Sequence, residues 1–195
     1  MTSTITLLDD HQGISAPKVL GIEYYADAAV NCTSYQGALT LTGDFVHTDN
    51  TFTLTVADAA DFSRLAVGQE YAITNAATGS NNATVTISAL SGKGEIGSVI
   101  TFSAVTASDE ADAITLTPSE EYLLPSDFGL SSISSVLITG QEDGTMRYHI
   151  ATNDAGAYSS SLFLVLQIRV GSTGTELSAA ATSGDCVRLR VFGQL

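Results

Sequence analysis

The chain reads as an all-β protein, and three observations carry that reading. Apolar residues alternate with Thr or Ser along most of its length, Gly and Asn clusters separate the alternating runs, and only one short window has helical composition. The finer expectation is a β-sandwich holding an inserted, small β-barrel-like module. With 195 residues, the chain is long enough to bury a core without disulfide or metal staples.

Thr4-Ile5-Thr6-Leu7 opens the series as an edge strand or arm, with Ile5 and Leu7 on one side. Residues 18–25 (KVLGIEYY) form a second β-rich run, opened by Pro17, whose missing N–H suits a strand start. Residues 38–42 (ALTLT) and 51–56 (TFTLTV) are expected as antiparallel neighbours on either side of the polar segment 44–50. The window 57–65 (ADAADFSRL) predicts one or two helical turns, with Asp58 and Asp61 near the end that favours anions.

The β pattern resumes at 69–74 (QEYAIT) and, after the Gly79-Ser80-Asn81-Asn82 turn, at 83–89 (ATVTISA). Gly92, Gly94 and Gly97 mark a loose turn before 98–103 (SVITFS), and an acidic connector at 108–112 leads to 113–117 (AITLT), closed by Pro118. Glu120-Glu121 reads as a charged linker. The segment 123–130 (LLPSDFGL) then predicts a tight apolar turn capped by Ser126 or Asp127. Strands are expected at 133–139, 145–151 and 162–170. The last, 186–192 (CVRLRVF), alternates Val187, Leu189 and Val191 inward with Arg188 and Arg190 outward.

This change of texture divides the chain into a sandwich of residues 1–37 plus 119–195 and a barrel-like insert of 38–118. Charge follows the division: the insert carries nine acids against two bases, and four of the five arginines come after residue 119. The formal net charge of -14 argues against nucleic acid as a partner, because that affinity rests on Lys and Arg displacing counterions. No signal peptide is read at residues 1–10, and the longest apolar stretch, 162–166, is far short of a membrane span. Cys32 and Cys186 lack zinc spacing and read as buried thiols, with a mutual disulfide as the alternative.

Catalytic chemistry finds little to stand on. His11, His47 and His149 lie in different segments, and neither a G-x-S-x-G elbow nor an H-E-x-x-H pair is present. His149 reads as a strand-face residue. Asp9-Asp10-His11, the acids Asp109, Glu110 and Asp112, and the pair Asp58 and Asp61 are the candidate metal ligands, and each reads better as a solvated acidic turn. A sugar platform has no tryptophan to use, and Tyr24 and Tyr25 point to opposite faces of a strand. No cofactor is expected.

The octapeptide 123–130 has the form L-x-P-x-D-x-G-L, followed by SISSVLIT, by MRYHI at 146–150 and by CVRLRVFG at 186–193. In these features the chain resembles a widespread family of small head proteins of tailed bacteriophages. The insert is similar to compact barrel modules of phage virion proteins through Phe62-x-x-Leu65-x-Val67-Gly68-x-x-Tyr71-x-Ile73, then residues 81–87 (NNATVTI), then 113–116 (AITL), with Ala83 where that pattern has a glycine.

The resemblance implies a virion protein that decorates or cements the capsid lattice. Its partner would be the major capsid protein, its place the capsid exterior, its state a homo-oligomer such as a dimer or trimer, and it would carry no catalysis. The alternatives are a host-facing fibre or adhesin module that binds surface glycan, and a neck or tail component. Candidate contacts are Ile5, Leu7 and Leu8, on an arm suited to strand addition, and Arg188 and Arg190, which face outward. The competing reading makes the arm an edge strand of its own sandwich and pairs the arginines with acids of the same chain.

Overall fold

A computed structural model describes residues 4–10, 13–31, 37–46, 49–76, 81–103, 110–119, 121–141, 146–150, 164–170 and 186–195. The chain divides into one unit of Met1–Gln36 with Glu120–Leu195 and a second of Gly37–Ser119. In chain order the first strands are β1 (Thr4–Leu7), β2 (Lys18–Leu20) and β3 (Glu23–Asn31). The second unit then supplies β4 (Leu39–Val46), β5 (Thr51–Leu54), helix α1 (Ala59–Phe62), β6 (Glu70–Thr74), β7 (Thr84–Ser91), β8 (Val99–Phe102) and β9 (Glu110–Pro118). Last come β10 (Glu121–Leu123), a 3₁₀ turn at Pro125–Phe128, β11 (Ser132–Gln141), β12 (Met146–Ile150), β13 (Leu164–Val170) and β14 (Cys186–Gln194).

The first unit is a sandwich. One sheet runs β1-β3-β14-β11 with β2 also paired to β3, the other runs β10-β13-β12, and all of these pairings are antiparallel. Both sheets contribute to one core: Ala26, Ala28 and Val30 of β3 and Val187, Leu189 and Val191 of β14 meet Tyr148, Ile150 and Leu166 of the facing layer. Two-residue periodicity explains the choice, since β3 and β14 each give their alternate residues to this core. Phe128 enters from the 3₁₀ turn, where the Asp127 carboxylate accepts the Leu124 N–H at 2.7 Å.

The sequence places one strand over 18–25, whereas the chain folds there into a hairpin. Leu20 pairs with Glu23 across the two-residue turn Gly21-Ile22. Gly21 has φ +68 and Ile22 does not have a positive φ, the pattern of a turn that needs glycine at its first central position. β3 then continues through residues 26–31, an Ala-rich stretch of weak strand propensity that is held by pairing on both sides. Glu121, expected in a linker, lies in β10 opposite Leu166.

The second unit closes on itself as a barrel in the order β4-β5-β8-β7-β6-β9, with β9 returning to β4. Its interior is filled by Leu41, Phe45, Phe52, Leu54, Tyr71, Ile73, Ile87, Ile100, Phe102, Ile114 and Leu116, all nearly or fully buried. Phe45 sits edge-on to Phe52 at 5.4 Å and stacks on Phe102 at 5.8 Å between centroids. β4 runs on through Gly43 and Asp44, which the sequence assigns partly to a polar break. Gly43 is what permits this: a Cβ there would lie 2.2 Å from the Thr53 carbonyl oxygen and 2.9 Å from the Phe52 ring.

Gly43→Ala is therefore expected to destabilise the barrel by about 1–3 kcal/mol, because the obstruction is backbone and a packed ring. Denaturant unfolding followed through the barrel's own transition checks this. An unchanged midpoint contradicts the packing described.

Candidate interaction surface

On the sheet face turned away from the sandwich core, β14 aligns Arg188 with Ala29, Arg190 with Asp27 and Phe192 with Tyr25 of β3. Cross-strand partners share a face, so these side chains form one row. Arg190 donates through Nε to Asp27 Oδ1 at 2.6 Å and through Nη2 to Asp27 Oδ2 at 2.9 Å, a two-pronged grip. Its guanidinium also lies 4.8 Å from the Tyr25 ring centroid, and Tyr25 stands 6.0 Å from Phe192. Lys18, opposite Tyr25 on β2, lies at 5.9 Å on that ring. On the other flank, β11 sets exposed Leu137 opposite Arg190.

The hydrogen bond to Asp27, first, and the attraction of that carboxylate push the Arg190 pKa up, so the guanidinium is charged at every ordinary pH. A raised pKa stabilises the fold below the unfolded value and loses that effect only as pH climbs through the folded one. For an arginine that window lies beyond working conditions.

Among the residues singled out in the sequence, Arg190 therefore pairs within its own chain, and Arg188 is exposed beside it. Ile5 and Leu7 pack against the sandwich core from β1, which pairs with β3 and lies at the end of its sheet's path. Leu8 is half-buried, its N–H donating to the Asp27 carbonyl at 2.8 Å. The arm and the arginines thus sit in one sheet, but Ile5 and Leu7 of the arm face the interior.

The candidate metal ligands differ in what their side chains do. Asp58 Oδ1 accepts the Asp61 N–H at 3.0 Å as the cap of α1, and Asp61 Oδ2 accepts the Thr40 N–H at 3.2 Å, so both carboxylates serve the local fold. His11, His47, Cys32 and Asp109 lie outside the described residues, as do the side chains of Glu110 and Asp112. His149 is exposed on β12 and Cys186 is half-buried on β14. Among the described residues, no group of three or more His, Cys, Asp or Glu is placed to hold a metal ion.

Two apolar features escaped the sequence reading. One is the β2–β3 hairpin, whose Val19, Leu20 and Ile22 are exposed. A continuous strand over 18–25 hides it, and Gly21 followed two residues later by an acid was the available signal. The other is one end of the barrel, where Phe62, Leu65, Leu90 and Lys93 line a hollow of about 340 Å³. Here the Asp58 N–H donates to the Gly94 carbonyl at 2.8 Å, tying the turn after β7 to the start of α1. Glu95 Oε2 accepts the Lys93 N–H at 2.8 Å. Its carboxyl is held below the ordinary 4.5, first by its own backbone N–H and then by that of Lys93.

Family models, curated proteins and solved structures were each compared with the chain, and none matches.

Two outcomes are expected from this geometry. Cutting either partner of the Asp27–Arg190 pair to Ala lowers sandwich stability by about 1 kcal/mol, and a double-mutant cycle in urea shows coupling that shrinks in high salt. Additive losses contradict it. A lowered carboxyl pKa stabilises the turn above the ordinary value and ceases to do so as pH falls through the folded one. The Lys93 amide resonance accordingly titrates with a midpoint below 4.5, and Glu95→Gln removes that step.

Proposed function

We propose that the protein is a structural component of a virion that decorates or cements the capsid lattice through non-covalent contact with the major capsid protein, and that it carries no catalysis. The observation that supports this best is the outer face of the five-stranded sheet. Tyr25, Asp27, Arg190 and Phe192 hold one another there before any partner arrives, with Arg188 and Leu137 exposed alongside. A preformed surface of aromatic, arginine and aliphatic groups loses little side-chain freedom on docking, which is the condition for useful affinity from a modest area.

The composition suits the same role. A chain of net charge -14 repels nucleic acid and keeps decorated particles apart. Many copies on one lattice multiply a weak individual contact, so a small surface suffices. The protein acts on the capsid exterior as an oligomer, with neither membrane nor nucleic acid as partner.

Purified protein mixed with empty shells of the major capsid protein from the same genome is expected to co-sediment at a simple fixed ratio and to raise the shells' heat stability. Leu137→Asp, at an exposed position on the same face, is expected to weaken binding at least about fivefold without unfolding the protein. A few copies per particle, or none, overturns the reading. Binding to host cells or glycan in that case indicates the adhesin alternative.

A further inference from the structure

Arg188 and Arg190 stand two positions apart on β14, on the same outer face, and the sheet treats them differently. Across from Arg190 on β3 is Asp27, which binds it through both carboxylate oxygens, whereas across from Arg188 is Ala29. The neighbour of Arg188 on the other side, in β11, is Gly140. Neither flanking position supplies a counter-charge, and among the described residues the Arg188 guanidinium has no ion pair of its own. The missing side chain at Gly140 also leaves space. A Cβ there would touch only the stem of Arg188, 3.8 Å from its Cδ, and a hollow of about 190 Å³ opens beside it, lined by Thr139, Gly140, Gln141, Cys186 and Arg188. The Thr139 hydroxyl donates to the Arg188 carbonyl at 3.2 Å, which fixes one wall. Arg188 and Gln141 are both exposed, so N–H donors of a guanidinium and of an amide stand at one hollow. A guanidinium presents its donors as a planar fork that matches a carboxylate.

Charge identifies the class of partner. The whole chain has 7 basic against 21 acidic residues. The five strands of this sheet reverse that balance, with Lys18, Arg188 and Arg190 against Glu23 and Asp27. Asp27 is engaged by Arg190, and Glu23 lies toward the other end of the sheet, four positions along β3 from Asp27 and paired with Leu20. A partner that carries acidic side chains is repelled by the chain's overall charge and attracted at Arg188, which selects both this face and the orientation of docking.

We propose that an acidic side chain of the partner, an Asp or Glu carboxylate presented by the major capsid protein, seats in this hollow against the Arg188 guanidinium, while Arg190 stays on Asp27 and holds the face in shape. The inference rests on the capsid-docking reading and deepens it, since it names the chemistry that the partner brings to this surface.

The experiment is quantitative co-sedimentation of the full chain with empty shells of the major capsid protein over a range of salt. Wild-type binding is expected to weaken as salt rises. Arg188→Gln is expected to raise the half-saturating concentration at least about tenfold at low salt, to flatten the salt dependence and to keep the wild-type melting curve. Gly140→Val keeps the charge but fills the hollow, and is expected to weaken binding as well. Arg188→Lys puts an amine at the same place. A carbodiimide, which takes up the water lost as an amine and a carboxylate form an amide, is expected to link that amine to one Asp or Glu of the major capsid protein, a link that the wild type lacks. Reversing the charge of the acid so identified is expected to restore binding to Arg188→Glu. Wild-type binding that Arg188→Gln leaves unchanged overturns the inference and leaves the capsid reading standing. A clear loss of thermal stability in Arg188→Gln shows that the guanidinium pairs within its own chain and overturns the inference too. A wild type that does not bind shells overturns both.

Discussion

The sandwich depends on where β14 lies. It is the only described strand hydrogen-bonded to both β3 and β11, so it joins residues near the start of the chain to residues beyond the barrel. Val187, Leu189 and Val191 are fully buried, which sets its register strictly: a slip of one residue turns Arg188 and Arg190 into the core. That register also places Arg190 against Asp27 and Phe192 against Tyr25, so core packing and surface construction are consequences of one strand alignment. Gly193 secures the end of the same strand, where a Cβ would strike the Ser132 carbonyl oxygen.

The barrel answers a different constraint, that of hiding every sheet edge. Closing β9 onto β4 satisfies both outer strands. It also sets Leu39 beside Leu116, bringing the ends of the module close together. A module whose two ends are neighbours can interrupt a host loop with little entropic penalty, which fits the placement of this unit between two stretches of the sandwich.

Much of this was legible because alternation is a direct record of a half-buried strand. The run CVRLRVF, the paired strands around 39–46 and 51–54, the short helix capped by Asp58 and the carboxylate at Asp127 all follow from local pattern. What the pattern could not supply came from partners distant in sequence. β3 extends over alanines because β1 and β14 flank it, and small residues there leave room for Phe128 and Tyr148 in the shared core. Gly43 reads as a strand end, yet only a missing Cβ lets the Phe52 ring and the Thr53 carbonyl come so close. Among the candidate contacts, the outward direction of Arg188 and Arg190 was visible from periodicity. The two-pronged bond to Asp27, 163 positions away, and the exposed hairpin were not.

Biosynthesis puts these pairings in a definite order. A chain leaves the ribosome from its first residue onward, so the barrel's strands, all within 37–119, have every partner available while the sandwich still awaits β14. Until that strand arrives, β3 carries an open edge and the alanine-lined half of a core. The nascent sandwich is therefore the stage at which the protein is most open to capture by chaperones or by strands of neighbouring chains, while the barrel needs no such protection.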